Sequence, residues 1–155
     1  MDVQVARVAD IPVVMIRHRG PYEELNREFD RLWEWVESRQ IPVQRTIGIY
    51  YDNPDYTDTS NLRSAACVEV SSSFAFGDKG GLPLELGKIT GGDYAITSFT
   101  GPYEALGPVW SAFTNHIERK MRRTIREIPA FEVYVNDAAT TAPANLITEL
   151  YMPLA

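Results

Sequence analysis

A tetrapeptide that occurs twice constrains the fold of this chain more than any other feature. GPYE occupies residues 20–23 and returns at residues 101–104, a shift of 81 residues. The same shift aligns VQVARVADIPVVMI with LELGKITGGDYAIT, and after the next segment a shift of 84 residues places IGIYYDN over FEVYVND. Internal repeats of this kind indicate duplicated structural units. We therefore predict two copies of one unit, residues 3–71 and 84–155, joined by SSSFAFGDKGGLP within a single domain over residues 1–155.

Each copy has the pattern strand, strand, helix, strand, strand. VQVARV and VVMIRH alternate as half-buried strands do, with a turn predicted at residues 10–12. Apolar residues then recur at helical spacing, namely Leu25, Phe29, Leu32, Trp33 and Val36. Pro108 predicts that the second helix begins near Gly107. The expected class is α+β, with about eight mainly antiparallel strands and two helices on one face of the sheet. A pseudo-twofold axis would relate the copies and leave a central groove.

Composition places the chain among soluble globular proteins. Of its 155 residues, 45% are hydrophobic and 23% are charged, and no apolar run approaches the length of a membrane helix. The N-terminus shows no secretory signal, so we expect a cytoplasmic location and no membrane partner. Cys67 is the only cysteine and lies in an apolar run, which is typical of a buried, unreactive thiol.

The aligned segments IGIYYDN and FEVYVND differ at one informative position, where the first has Gly48 and the second has Glu132. Side chains alternate along a strand, so Phe131, Val133 and Val135 are predicted on the core face under the helices. Glu132 and Tyr134 would then lie on the opposite face, as would Gly48 and Tyr50 in the first copy. One half of the groove would supply space and the other a negative charge.

A carboxylate among aromatic side chains predicts a ligand that carries a positive charge. Burying an ionised Glu without a partner costs several kcal/mol, and a cationic ligand would offset that cost. Tyr50, Tyr134 and Trp110 could each add a cation–π contribution of about 0.5 to 2 kcal/mol. The expected partner is a flat or greasy, cationic amphipathic small molecule. The alternative is that Glu132 is simply solvated on an outer face.

Other site types have weaker support in the sequence. His18 and His116 stand apart from any acidic or thiol cluster, so we predict no metal site. No nucleotide-binding or hydrolase motif occurs, and the glycines of ITGGDY indicate a hairpin turn; we predict neither a cofactor nor a catalytic residue. The basic segment RKMRRTIRE fits a helix end better than a nucleic-acid surface, because no stacking aromatics interrupt it.

Several of these segments together resemble the GyrI-like family, whose founding member is a bacterial DNA gyrase inhibitory protein. They are the doubled GPYE, YYDNP, the dipeptide LR at residues 62–63, ITGGDYAI and FEVYVND. The resemblance implies a duplicated strand-helix-strand-strand fold shared with the effector-binding domains of multidrug-sensing transcription activators. It also implies a groove for lipophilic cations, with Glu132 as counter-ion and Tyr50, Tyr134 and Trp110 as stacking aromatics. No helix-turn-helix segment is visible on either side, so we expect a stand-alone binding domain.

Three functions follow. The first is the binding or sequestration of cationic, lipophilic or aromatic small molecules. The second is inhibition of DNA gyrase, which rests on the resemblance alone. The third is hydrolysis of strained, alkylating natural products, as the resemblance to some family members implies, with Glu132 activating water. A single carboxylate with no evident orienting partner places enzymatic activity last.

Overall fold

The computed structural model describes residues 1–155 and contains eight β-strands and two α-helices. The strands are β1 (Gln4–Val8), β2 (Ile11–Arg19), β3 (Thr46–Tyr50), β4 (Arg63–Glu69), β5 (Glu85–Ile89), β6 (Gly92–Thr100), β7 (Ala130–Tyr134) and β8 (Ile147–Pro153). The helices are α1 (Leu25–Ser38) and α2 (Leu106–Asn115), and α2 continues into a π-helical turn, His116–Lys120. The predicted α+β class is confirmed, as is the start of the second helix near Gly107. Neither helix is long and apolar enough to cross a membrane.

The chain divides into two compact units. The first unit is Asp10–Thr90, and the second unit combines Met1–Ala9 with Gly91–Ala155. The first unit holds four antiparallel strands in the order β3-β4-β2-β5, and the second holds β1-β6-β8-β7. Each set of four strands carries one helix, so both units have the same architecture.

The first strands of the two copies are exchanged between the units. β1 pairs with β6, with Val8 opposite Gly92, and β5 pairs with β2, with Ile89 opposite Ile11. The turn predicted at residues 10–12 and the hairpin predicted at the glycines of ITGGDY are therefore wrong, and Ile11 and Pro12 belong to β2. Alternation predicts that a segment is a strand, but backbone hydrogen bonds form with any strand, so the pattern does not identify the partner.

The GPYE tetrapeptide makes the same turn in both units. Gly20 and Gly101 adopt positive φ angles of 126° and 154°, which favour glycine. Their backbone N–H groups donate to Leu62 O and Leu146 O, each at 2.8 Å. Both turns lead through a short 3-10 turn into the helix. The repeat is thus explained by a backbone conformation and by the bond that anchors it.

Helix α1 covers a core that includes the segment predicted to be a linker. Leu25, Leu32 and Val36 are buried, as helical spacing predicts, but so is Trp35. The indole of Trp35 packs against the rings of Phe74 and Phe76, at centroid distances of 6.5 and 6.3 Å, and its Nε1–H donates to Asp78 O at 2.8 Å. The Gly- and Ser-rich segment therefore belongs to the core of the first unit.

Cys67 lies in the middle of β4 and is fully buried, as predicted. Burial raises the pKa of its thiol, so the reactive thiolate is disfavoured. The thiol acts as a small apolar side chain of the core.

Phe74→Ala should lower the free energy of unfolding by about 1 to 3 kcal/mol. The half-buried ring packs against Trp35 and Phe76, and its removal uncovers part of α1. Tyr56→Ala is the matched control, because Tyr56 is 88% exposed and should change the stability little. Urea denaturation measures both. Equal stability of the two variants would show that the joining segment does not contribute to the core.

Candidate functional site

Glu132 lies in β7, on the face of its sheet that carries α2. It pairs directly with Leu150 of β8, and directly opposed residues of antiparallel strands share a face. Leu150 packs in the same core cluster as Phe113 of α2. Only 4% of Glu132 is exposed, so the alternative of a solvated outer-face carboxylate is wrong.

The opposite face of β7 is also covered. Phe131 stacks on Tyr151 with the ring centroids 4.5 Å apart, and it meets Tyr94 edge-on at 5.3 Å. The predicted faces were therefore reversed: Phe131 and Val133 face away from α2, and Val135, predicted in the core, is 52% exposed. The prediction failed because both faces of β7 are buried, and alternation then does not show which face meets the helix.

Two uncharged donors fix the Glu132 carboxylate. The indole Nε1–H of Trp110, from α2, donates to Glu132 Oε2 at 2.6 Å. The phenol of Tyr134, from the end of β7, donates to Glu132 Oε1 at 2.7 Å. The two donors are neutral, so neither bond is an ion pair, and together they orient the carboxylate. The structure thus brings together three of the five predicted site residues.

Tyr103 is a further residue of this cluster that the sequence analysis did not select. Its ring meets that of Tyr134 edge-on, with the centroids 5.5 Å apart. The pKa of the Tyr103 phenol is raised, first by burial and then by the negative charges of Glu132 and Asp137. Tyr103 is the tyrosine of the second GPYE, so the repeat itself was the signal that could have identified it. The charge of Glu132 therefore acts on a half-buried aromatic ring beside it.

Thr148 adds a buried hydroxyl to the same face. It lies directly opposite Tyr134 on one side and Phe99 on the other, and it is fully buried. No protein group forms a hydrogen bond with its Oγ1. Buried hydroxyls usually have a partner, so this atom is suited to bond a water molecule or a polar group of a ligand.

The first unit holds the corresponding aromatic pair without the carboxylate. Tyr50 lies at the end of β3, and its ring meets that of Tyr22 edge-on at 4.8 Å, just as Tyr134 meets Tyr103. Gly48 lies in β3 at the position of Glu132 and is buried. Tyr50 and Gly48, the other two predicted site residues, thus belong to the first unit.

The comparison with protein families identifies the family. The family model described as "GyrI-like small molecule binding domain" matches residues 1–155. The chain belongs to the GyrI-like family. A DNA gyrase inhibitor of Escherichia fergusonii is 28% identical over 155 residues, covering 99% of this chain and 98% of the relative. A DNA gyrase inhibitor of Citrobacter rodentium is 30% identical over 141 residues, covering 90% and 89%.

Solved structures share the GyrI-like fold at low sequence identity. EcmrR, in a cryo-electron microscopy structure of its DNA complex, matches with a TM-score of 0.81 and 13% identity. The match covers 99% of this chain and 57% of the EcmrR chain. SAV2435, in a structure bound to tetraphenylphosphonium, matches with a TM-score of 0.65 and 14% identity, covering 100% of this chain and 94% of that chain.

In this GyrI-like domain, Glu132→Gln should lower the pKa of the Tyr103 phenol. Removing a nearby negative charge makes the phenolate easier to form, although burial continues to raise the pKa. NMR titration at alkaline pH measures the effect, with the Tyr103 signal assigned through Tyr103→Phe. Tyr22 is the internal control, because burial, Asp52 and Arg63 determine its pKa. An unchanged Tyr103 pKa, or an equal change at Tyr22, would contradict this site geometry.

Proposed function

We propose that this domain binds lipophilic, cationic small molecules at the Glu132 site. The observation that carries the proposal is a carboxylate with 4% exposure that two uncharged donors, Trp110 and Tyr134, hold on the α2 face of the second unit. A negative charge fixed in an apolar setting interacts more strongly with an opposite charge than it does in water.

The surrounding side chains favour a ligand that is both aromatic and cationic. Trp110, Tyr134 and Tyr103 are half-buried, so part of each ring remains accessible. Each aromatic face can stabilise a desolvated cation by about 0.5 to 2 kcal/mol. Burial raises the pKa of the Tyr103 phenol most, and the negative charge of Glu132 raises it further. The family description supports small-molecule binding, and the charge of the site supports the cationic class.

A structural neighbour gives further support. SAV2435 has this fold and was solved with tetraphenylphosphonium, which is a lipophilic cation. At 14% identity the likeness concerns the fold alone. It makes tetraphenylphosphonium a suitable first probe, while the argument for the ligand class rests on Glu132.

The test compares two probes of the same shape and opposite charge, tetraphenylphosphonium and tetraphenylborate. We expect the wild-type protein to bind the phosphonium, and Glu132→Gln to weaken this binding by at least about tenfold, or about 1.4 kcal/mol. Binding of tetraphenylborate should not weaken in the variant, because the substitution removes a repulsive charge. Isothermal titration calorimetry measures all four affinities.

Glu149→Gln is the matched control. Glu149 lies in β8 opposite Val133, so the substitution removes one carboxylate from the other face of the same sheet. It should leave phosphonium binding unchanged. If both variants weaken binding equally, overall charge and not the Glu132 site attracts the cation; if Glu132→Gln has no effect, the proposal is wrong.

Inhibition of DNA gyrase is the second candidate function. It is favoured by relatives that match nearly the whole chain and are named DNA gyrase inhibitors, one of them 28% identical. A supercoiling assay with purified gyrase tests it, and the expected result is a dose-dependent loss of supercoiled product. Full supercoiling at a large excess of this protein would remove the candidate.

The hydrogen bonds of Glu132 suit the role of a fixed counter-ion. Both oxygens of Glu132 accept hydrogen bonds from side chains that the fold holds in place. The carboxylate is therefore held in one orientation on the α2 face of β7.

A further inference from the structure

Three arginines gather on the sheet of the first unit. Arg17 and Arg19 are alternate residues of β2, so they share one face, and Arg63 of β4 lies directly opposite Arg19. Val14 and Ile16 pack in the core with α1, and Arg17 and Arg19 therefore point away from that helix. We call Arg17, Arg19 and Arg63 the arginine cluster.

The pairing of Arg19 with Arg63 is unfavourable for the fold itself. Like charges placed directly opposite each other on neighbouring strands are destabilising. Asp52 offsets part of this repulsion, because its carboxylate accepts hydrogen bonds from Arg63 Nε at 3.1 Å and from Nη2 at 2.9 Å. Glu85 holds Arg17, with Nε and Oε2 2.8 Å apart. Arg19 has no ion pair, so the cluster with its two carboxylates keeps an excess of one positive charge.

The cluster borders a recess of about 280 Å³ in the first unit. The recess is lined by Arg17, His18, Arg19, Tyr51, Arg63 and Ser64. The guanidinium carbon of Arg63 lies 5.8 Å from the centre of the Tyr51 ring, which helps to fix its orientation. This space is sufficient for a phosphate or carboxylate group beside the guanidinium groups.

The second unit shows that the fold does not need these charges. At the repeat shifts, Arg17 and Arg19 correspond to Ser98 and Thr100, and Arg63 corresponds to Ile147. Thr100 and Ile147 form the same directly opposed strand pair as Arg19 and Arg63. The same architecture therefore forms with uncharged residues, and no ion pair of the fold explains Arg19, in contrast to Arg17 and Arg63.

We propose that the arginine cluster is a binding site for small oxyanions, that is, for a phosphate or carboxylate group of a small molecule. Guanidinium groups present paired N–H donors that match the oxygens of both groups. Two of the three are already oriented by Asp52 and Glu85, and Arg19 supplies the charge that an anion would neutralise. This site involves different residues, a different unit and the opposite charge from the Glu132 site, and it does not depend on that proposal.

The test measures binding of inorganic phosphate and of succinate to the full chain by isothermal titration calorimetry at low ionic strength, where charge interactions are least screened. We expect saturable binding of at least one of them, and the stronger binder identifies the source of the oxyanion. Arg19→Gln should weaken that binding by at least about tenfold, since hydrogen bonds to charged groups are among the strongest. Without the anion, the same variant should unfold at an equal or higher temperature, because the repulsion with Arg63 is gone.

Arg27→Gln is the matched control, because it removes the same charge from α1, on the other face of the sheet. It should leave anion binding unchanged. The proposal is overturned if neither anion binds saturably, if Arg19→Gln has no effect, or if both variants weaken binding equally. Heparin, a polyanion, is titrated in the same way. If heparin binds while neither phosphate nor succinate does, the proposal is also overturned, because the cluster is then part of a surface for a polyanion.

Discussion

The architecture of both units depends on one backbone hydrogen bond, from the glycine of GPYE to the residue that precedes the paired strand, β4 in the first unit and β8 in the second. Gly20 donates to Leu62 O and Gly101 to Leu146 O, with positive φ angles at both glycines. This bond links the end of β2 to the start of β4, or the end of β6 to the start of β8, where the chain turns toward its helix. It also sets the position of the tyrosine two residues later. Because the turn is fixed, the ring of Tyr22 meets Tyr50 at the end of β3, and the ring of Tyr103 meets Tyr134 at the end of β7.

The duplication made the number and order of elements predictable, since a pattern observed twice is better constrained than one observed once. Which strands pair was not predictable, because β1 and β5 each carry enough alternation to be a strand but nothing that distinguishes one antiparallel partner from another. The face of β7 on which Glu132 lies was predicted incorrectly for a related reason. Phe131, Glu132 and Val133 are all buried, and a strand covered on both faces gives no polarity from which to choose.

What could be predicted about the site was which three residues the fold brings together, Glu132, Trp110 and Tyr134. Comparing aligned positions selected Glu132 against Gly48, and the structure shows Glu132 held by Trp110 and Tyr134. The copies also differ in β2 and β4, where Arg19 corresponds to Thr100 and Arg63 corresponds to Ile147. Tyr103 was missed because it is matched by Tyr22, and a search for differences does not find residues that both copies share. A duplicated domain therefore needs both comparisons.

The charged residues that occur in one copy only, Glu132 in the second and the opposed pair Arg19 and Arg63 in the first, are both energetically unfavourable for folding. A buried carboxylate needs its hydrogen bonds to offset desolvation, and two opposed arginines repel each other; in each case the other copy forms the same strand pair without the charge. A residue that stabilised the fold would be useful in both copies, since both have the same backbone to support. Charges that are present in one copy only, at positions where they oppose folding, support the two proposed binding sites. The duplication in the chain thus provides an internal reference, because each strand pair of one unit can be compared with the same pair of the other.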